Sequence, residues 1–124
     1  MRAIEATITS YCKESLFDSR ITNRSFSIRD LVEVTEKEVN YYLWTSKIIS
    51  IDKKTKSMCF SFCGYMTNTT KARINAFLSA FGNGYIFQKN YTLYWTDGKL
   101  KVLIDTEKRY YIKEGLLVLE LVSE

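Results

Sequence analysis

One segment of the chain has the spacing of an amphipathic helix, while most of the remainder has the pattern of short strands. Apolar side chains recur at intervals of three and four residues at Ile74, Phe77, Leu78 and Phe81. Residues 67–70 supply N-cap candidates, and Gly82 follows at a position where a left-handed residue is expected. The pattern predicts a helix over about residues 69–81.

Strand patterns lie on both sides of this helix. Polar and apolar residues alternate over Arg2 to Tyr11 and, less regularly, over Phe26 to Val34, whereas residues 13–25 have no clear period. Two β-branched and aromatic runs, Tyr41 to Ile51 and Ser57 to Tyr65, flank a polar turn and predict a hairpin. Further strands are expected at residues 85–88, 91–95, 100–104, 110–112 and 116–122, with a two-residue turn at Asp97-Gly98.

These elements predict an α+β fold in a single domain over residues 1–124. We expect a curved antiparallel β-sheet of about seven or eight short strands with one main helix (about 69–81) packed on it. A single helix cannot cover both faces of such a sheet, and residues 116–122 are almost continuously apolar, as in a strand buried on both faces. We therefore predict a homo-oligomer, at least a dimer.

The chain contains no histidine, which excludes several classes of active site within one chain. A Ser-His-Asp triad, a Cys-His dyad and an imidazole metal site all need that residue. No spacing brings two carboxylates to one substrate among Asp18, Asp30, Glu33, Asp97 and Asp105. A metal site made only of carboxylates is the alternative left open. We predict a binding protein rather than an enzyme, with no catalytic residues, no cofactor and no metal.

Cysteine usage and charge indicate the compartment and the kind of ligand. The three cysteines Cys12, Cys59 and Cys63 form no Cys-x-x-Cys pair, and we expect them to be reduced in a cytoplasmic protein. No apolar run approaches the roughly 20 residues of a membrane helix, so no membrane association is expected. The net charge of +4 permits an anionic ligand where lysines and arginines converge.

Two segments combine basic residues with groups that suit a nucleotide. Lys71 and Arg73 lie in the first turns of the predicted helix, where backbone N–H groups and the helix dipole favour a phosphate. Lys108 and Arg109 precede two tyrosines, and Arg beside aromatic rings is typical of surfaces that stack a base. The alternative interpretation is that the helix is merely capped and that the rings belong to the core.

The helix start also carries a resemblance to a known family. Residues 64–75 have the form Gly-Tyr-x-Thr-x-Thr-Thr-Lys-x-Arg-Ile-Asn, and residues 84–90 follow with Gly-Tyr-x-Phe-Gln-Lys-Asn. Together with Lys108-Arg109-Tyr110, this pattern resembles the first family of phage Thoeris anti-defence proteins, which sequester a cyclic ADP-ribose isomer. The resemblance covers about residues 60–112 and departs from the pattern at Ile74, where Leu is commoner.

The resemblance implies a phage sponge in the cytoplasm of the infected bacterium. Such a protein binds a cyclic ADP-ribose isomer, and cyclic oligonucleotides as further ligands, without cleaving them, in pockets between subunits of an oligomer. In this interpretation Arg109 and either Arg73 or Lys71 hold phosphate, and Phe81 and Tyr91 stack on the base. Lys108 belongs to the same ligand site. The polar edges of the ligand would be contacted by Asn75, Asn83 and Asn90. The alternative function is binding of single-stranded nucleic acid or a host protein through a basic, aromatic surface.

Overall fold

A computed structural model describes residues 2–113 and the backbone of residues 116–119. Within this part of the chain there are two helices, α1 (Ala3–Ser15) and α2 (Asn68–Phe81). The strands before α2 are β1 (Arg24–Ser25), β2 (Asp30–Val34), β3 (Glu38–Leu43), β4 (Ser46–Asp52) and β5 (Met58–Ser61). Those after it are β6 (Tyr85–Lys89), β7 (Thr92–Thr96), β8 (Lys101–Leu103), β9 (Arg109–Lys113) and β10 (Leu116–Leu119).

The strands form two antiparallel sheets. Seven of them pair in the order β1-β2-β3-β4-β5-β9-β10, and the other three pair in the order β6-β7-β8. After β5 the chain leaves the larger sheet to form α2 and the three-stranded sheet, and it returns as β9 beside β5. The predicted α+β fold is confirmed, and so is the helix over about residues 69–81.

The core lies between the two helices and one face of the larger sheet. The strand register places Val32, Tyr41, Ile49, Phe60 and Tyr110 in one row across five strands, and all five side chains are buried. From α2, the predicted stripe of Ile74, Phe77 and Leu78 packs into this core. The three-stranded sheet adds Ile86, Leu93 and Trp95.

The N-terminal segment is a helix, so the strand predicted over Arg2 to Tyr11 is wrong. Ile8, Cys12 and Leu16 are buried at spacings of four residues, which is a helical stripe. The stripe is short because Glu5, one turn earlier, is also buried but is charged. The alternation of Ile4, Ala6 and Ile8 is typical of a strand. The helical pattern was hidden because the buried side of α1 continues at Glu5, which is charged rather than apolar.

The run from Tyr41 to Ile51 is two strands rather than one. Leu43 pairs with Ser46, so β3 and β4 are joined by a tight turn at Trp44 and Thr45. Trp44 has a φ of 59°, a conformation for which Asn, Asp or Gly is the usual residue in such turns. A tryptophan at this position gave no turn signal in the sequence. The predicted hairpin after it is confirmed, because β4 pairs with β5 from Ile49 to Ile51.

Two predicted turn positions differ in the structure. Thr96 pairs with Lys101, so the turn at Asp97-Gly98 belongs to a four-residue loop. The two-residue turn with positive φ at both positions lies instead at Asn90 and Tyr91, with φ of 53° and 64°. Gly82 has a φ of −123° and is not left-handed, and its N–H donates to the Leu78 carbonyl at 3.0 Å.

The strand predicted over 116–122 is present over Leu116–Leu119 at one edge of the larger sheet. Its predicted burial on both faces and its residues 120–122 lie outside the described residues. Neither α1 nor α2 has the length and apolar character needed to cross a membrane.

Candidate functional site

Arg73, predicted to hold phosphate, lies in the core with only 1% of its side chain exposed. Its Nε donates to Asp30 Oδ1 at 3.0 Å, and its Nη2 donates to Asp30 Oδ2 at 3.3 Å. Its Nη1 also lies 3.6 Å from Glu5 Oε2. The guanidinium is therefore occupied by two carboxylates inside this chain and is not exposed to a ligand.

Neighbouring arginines favour the ionised form of both buried carboxylates, Arg73 chiefly at Asp30 and Arg2 chiefly at Glu5. Burial by itself would raise the pKa of Asp30, but hydrogen bonds from Arg73, Ser27 and Tyr41 outweigh it and hold the pKa below the ordinary value. Burial also opposes ionisation of Glu5, whose pKa is nevertheless lowered by hydrogen bonds from Arg2 and by the charges of Arg2 and Arg73. Burial and the Asp30 carboxylate raise the pKa of Tyr41, which remains a neutral donor.

Lys71 and Asn75, on α2, contact the three-stranded sheet. Lys71 Nζ donates to Gln88 Oε1 at 3.3 Å. Asn75 Nδ2 donates to the Ile86 carbonyl at 3.0 Å, and Asn75 Oδ1 accepts the Ile86 N–H at 2.6 Å. The amide predicted to contact the edge of a base thus contacts the backbone of β6, and it fastens that strand to α2.

Four other predicted residues lie beyond the C-terminus of α2 or at its last turn. Phe81 stacks on Phe77 with ring centroids 5.9 Å apart. The Asn83 carbonyl accepts the Trp95 Nε1–H at 2.9 Å. Asn90 and Tyr91 form the tip of the β6–β7 hairpin, where Tyr91 is 88% exposed.

Arg109 and Lys108 lie on a different side of the molecule. Arg109 is adjacent to buried Tyr110 in β9, so it points to the face of the larger sheet opposite the core. It donates to the Lys47 carbonyl at 2.8 Å and lies 3.8 Å from Cys59 Sγ. Lys108 is exposed in the preceding turn. One chain therefore does not bring the nine predicted residues together in one pocket.

A cavity of about 330 Å³ lies at the N-terminus of α2, within the segment that the sequence singled out for phosphate. Thr67 caps the helix by accepting the Thr70 N–H at 3.1 Å. The N–H groups of the first helical turn have no acceptor within the helix and point outward from this end. The cavity is lined by Arg29, Leu43, Trp44, Thr45, Ser46, Ile48, Tyr65, Thr67, Thr69 and Thr70.

Arg29 supplies the positive charge of this cavity. Its side chain is 40% exposed and its Nε lies 3.8 Å from Asp30 Oδ2. Asp30 already accepts hydrogen bonds from Arg73, Ser27 and Tyr41. The helix N-terminus adds partial positive charge close by, so the cavity favours an anion.

Two exposed aromatic rings complete the lining. Trp44 is 62% exposed and Tyr65 is 58% exposed. The Trp44 N–H donates to the Arg29 carbonyl at 2.6 Å, which fastens the left-handed turn between β3 and β4 to the chain before β2. A bulky residue with positive φ is costly, and such strain is found often at ligand sites. Cation, aromatic rings and hydroxyls therefore converge on one concave surface.

Sequence reasoning found one side of this cavity and missed the other. Tyr65, Thr67 and Thr69 belong to the run that predicted a phosphate site. Arg29 and Trp44 were both missed. Trp44 lies inside a run that has the pattern of a continuous strand, where an aromatic residue ordinarily belongs to the core. No disulfide joins Cys12, Cys59 or Cys63, and no group of three acidic or sulfur ligands able to hold a metal occurs among the described residues.

Comparison with known proteins shows the family of this chain. A family model described as Kyanoviridae Gp96 protein matches residues 1–114. No curated protein and no solved structure matches the chain. Because the family model spans most of the sequence, including both helices and the strands up to β9, the chain belongs to the Kyanoviridae Gp96 family and is a phage protein.

Proposed function

We propose that this phage protein binds a phosphate-bearing nucleotide in the α2 cavity and does not alter it chemically. The observation that carries the proposal is the convergence of Arg29, the N-terminus of α2 and the exposed rings of Trp44 and Tyr65 on one cavity. A guanidinium and helix N–H groups suit a phosphate, and an exposed ring suits a base.

The size of the cavity defines how much of a ligand one chain holds. Its volume of about 330 Å³ is at the lower end of ligand clefts, which range over about 300–1,000 Å³. One chain thus has room for a small ligand or for part of a larger one. A second chain in the predicted oligomer would complete the pocket around a ligand with two phosphates.

The more specific form of the proposal is that the ligand is a cyclic ADP-ribose isomer or a cyclic oligonucleotide. The protein would then sequester a nucleotide signal in the infected bacterium and so interfere with antiviral defence. Membership of a phage family and the resemblance of residues 60–112 to the anti-defence sponges support this form. The histidine-free composition agrees with a protein that holds its ligand intact.

The test measures binding and recovery of the ligand. The protein is incubated with a cyclic ADP-ribose isomer, with a cyclic dinucleotide and with AMP, freed of unbound nucleotide and heat-denatured. Mass spectrometry then identifies what is released. Recovery of an intact nucleotide is the expected result, whereas a cleaved product would make the protein an enzyme, and recovery of none of the three would contradict the proposal.

Two arginines distinguish the α2 cavity from the site predicted around Arg109. Arg29→Ala should weaken nucleotide binding about 10- to 100-fold, because a hydrogen bond to a charged group is worth about 1.5–3 kcal/mol. Arg109→Ala, on the opposite face of the sheet, should bind like the parent. The reverse result would move the site to Arg109, and melting temperatures of both variants check that each remains folded.

A further inference from the structure

We propose that the outward face of the three-stranded sheet binds single-stranded nucleic acid. The register of β6, β7 and β8 assigns alternate residues to its two faces. Ile86, Trp95 and Val102 point inward and contribute to the core. The opposite face, called here the outer face, carries Tyr85, Phe87, Lys89, Thr92, Tyr94, Thr96, Lys101 and Leu103.

Aromatic rings occupy the middle of the outer face. Phe87 and Tyr94 stack across the two strands with centroids 5.4 Å apart, and Tyr85 lies 6.1 Å from Phe87. Tyr85 is 54% exposed, and the other two rings are partly exposed. Rings on an exposed sheet face offer bases a stacking surface that tolerates any sequence, since every base has a π-face.

Charge on the outer face suits a polyanion. Lys89 and Lys101 are both exposed, and Lys101 Nζ lies 4.8 Å from the centroid of the Tyr94 ring. No aspartate or glutamate occurs among the eight outward residues of these three strands. The two ammonium groups therefore flank the rings, and none of the eight outward residues is a carboxylate that would compete for them. In this position they can contact the backbone phosphates of a strand whose bases stack on the rings.

The same features favour a single strand over the other polyanions. A duplex keeps its bases stacked on one another, so it offers the rings no base face, and it would use the lysines alone. The outer face is a sheet surface rather than a cavity, and it does not include the residues that line the α2 cavity. The two sites are therefore separable by mutation.

The test uses fluorescence anisotropy with a labelled 12-nucleotide oligo(dT), the same length of oligo(U), and a duplex of equal length. We expect the single strands to bind more tightly than the duplex at equal salt. Tyr85→Ala should weaken binding of the single strands at least about fivefold, the lower end of what one base–ring stack contributes. The matched control is Phe17→Ala, which removes an exposed ring that belongs to neither the outer face nor the α2 cavity and should leave oligonucleotide affinity unchanged.

Salt dependence tests the lysines separately from the rings. Removing one phosphate contact should reduce the slope of log affinity against log salt by about 0.7 for a single strand. We expect this reduction for Lys101→Gln and none for Lys54→Gln, an exposed lysine in the β4–β5 turn. Absence of binding at low salt, equal affinity for the duplex, or unchanged affinity in Tyr85→Ala would each overturn the proposal. Binding of a poly-glutamate peptide in place of the oligonucleotides would overturn it in favour of an acidic protein partner.

Discussion

Arg73 connects three elements of the fold through its guanidinium. It extends from α2 and contacts Asp30 in β2 and Glu5 in α1, while Tyr41 from β3 donates to the same Asp30 carboxylate. Asp30 lies next to Arg29, so this buried network is directly adjacent to the α2 cavity. Arg73 does not line the cavity, but it holds together α2 and the start of β2, which lie beside it.

Loss of Arg73 should destabilise the fold strongly. Arg73→Leu removes the closest cation from the buried Asp30 carboxylate, whereas Glu5 keeps its ion pair with Arg2. Loss of one partner of a buried ion pair costs about 3–5 kcal/mol of unfolding free energy. Urea denaturation measures the loss. Lys71→Leu, two residues earlier and partly exposed, is the matched control and should change stability by less than about 1 kcal/mol. Equal stability of the two variants would show that the Arg73 network contributes little.

The same network predicts a pH dependence of stability. The pKa of Asp30 in the folded chain lies below its ordinary value of 3.8. Its contribution to stability is therefore present above that value and is lost as the pH falls through the folded pKa. We expect the unfolding free energy to decrease below about pH 4, and Asp30→Asn to be less stable at pH 7 with a shallower dependence at acid pH. Identical acid slopes for parent and variant in urea titrations would contradict this.

At the scale of elements, the connection from α2 to β6 depends on Gly84. Its φ is +76°, and a Cβ built there would lie 2.4 Å from the Thr96 carbonyl oxygen and 2.6 Å from the Trp95 ring. The backbone at residue 84 thus lies so close to β7 that only glycine fits there. Asn75 holds the other side of β6 through both hydrogen bonds to Ile86.

Two glycines separate the effect of backbone conformation from that of close approach. Gly84→Ala and Gly98→Ala both place a side chain at positive φ, which costs roughly 1–2 kcal/mol. At Gly98, however, no atom lies within 4 Å of the added Cβ. We expect Gly84→Ala to lower the melting temperature clearly more than Gly98→Ala does. Equal shifts would mean that the contacts with Thr96 and Trp95 relax at no cost.

At the scale of the whole molecule, the core engages one face of the larger sheet. The middle of the opposite face carries Asn40, Ser50 and Cys59, in register across β3, β4 and β5. Several large apolar side chains elsewhere are exposed, among them Phe17 at 76% and Ile28 at 93%. Assembly into an oligomer stays a prediction.

Light scattering tests the assembly. We expect at least a dimeric mass at micromolar concentration, and a melting temperature that rises with protein concentration because association stabilises the folded state. A monomeric mass together with a concentration-independent melting temperature would contradict the prediction. It would also leave the α2 cavity as a site formed by one chain, large enough for one small nucleotide only.

The sequence by itself determined α2, the β4–β5 hairpin and the strands β6 and β7. Each of these elements carries its periodicity or turn signal within a short stretch of neighbouring residues. The tertiary structure alone decided that residues 3–15 are helical, since the buried face of α1 includes Glu5, whose burial depends on Arg2 and Arg73. It also decided that Arg73 faces Asp30, which lies 43 residues away in the chain, rather than a ligand. The tertiary structure also decided the α2 cavity, because only the pairing of the strands places Arg29 and Trp44 beside the N-terminus of α2. Local spacing predicts which residues share a face, whereas the partner of a buried charge is set by chain segments that meet only in the folded state.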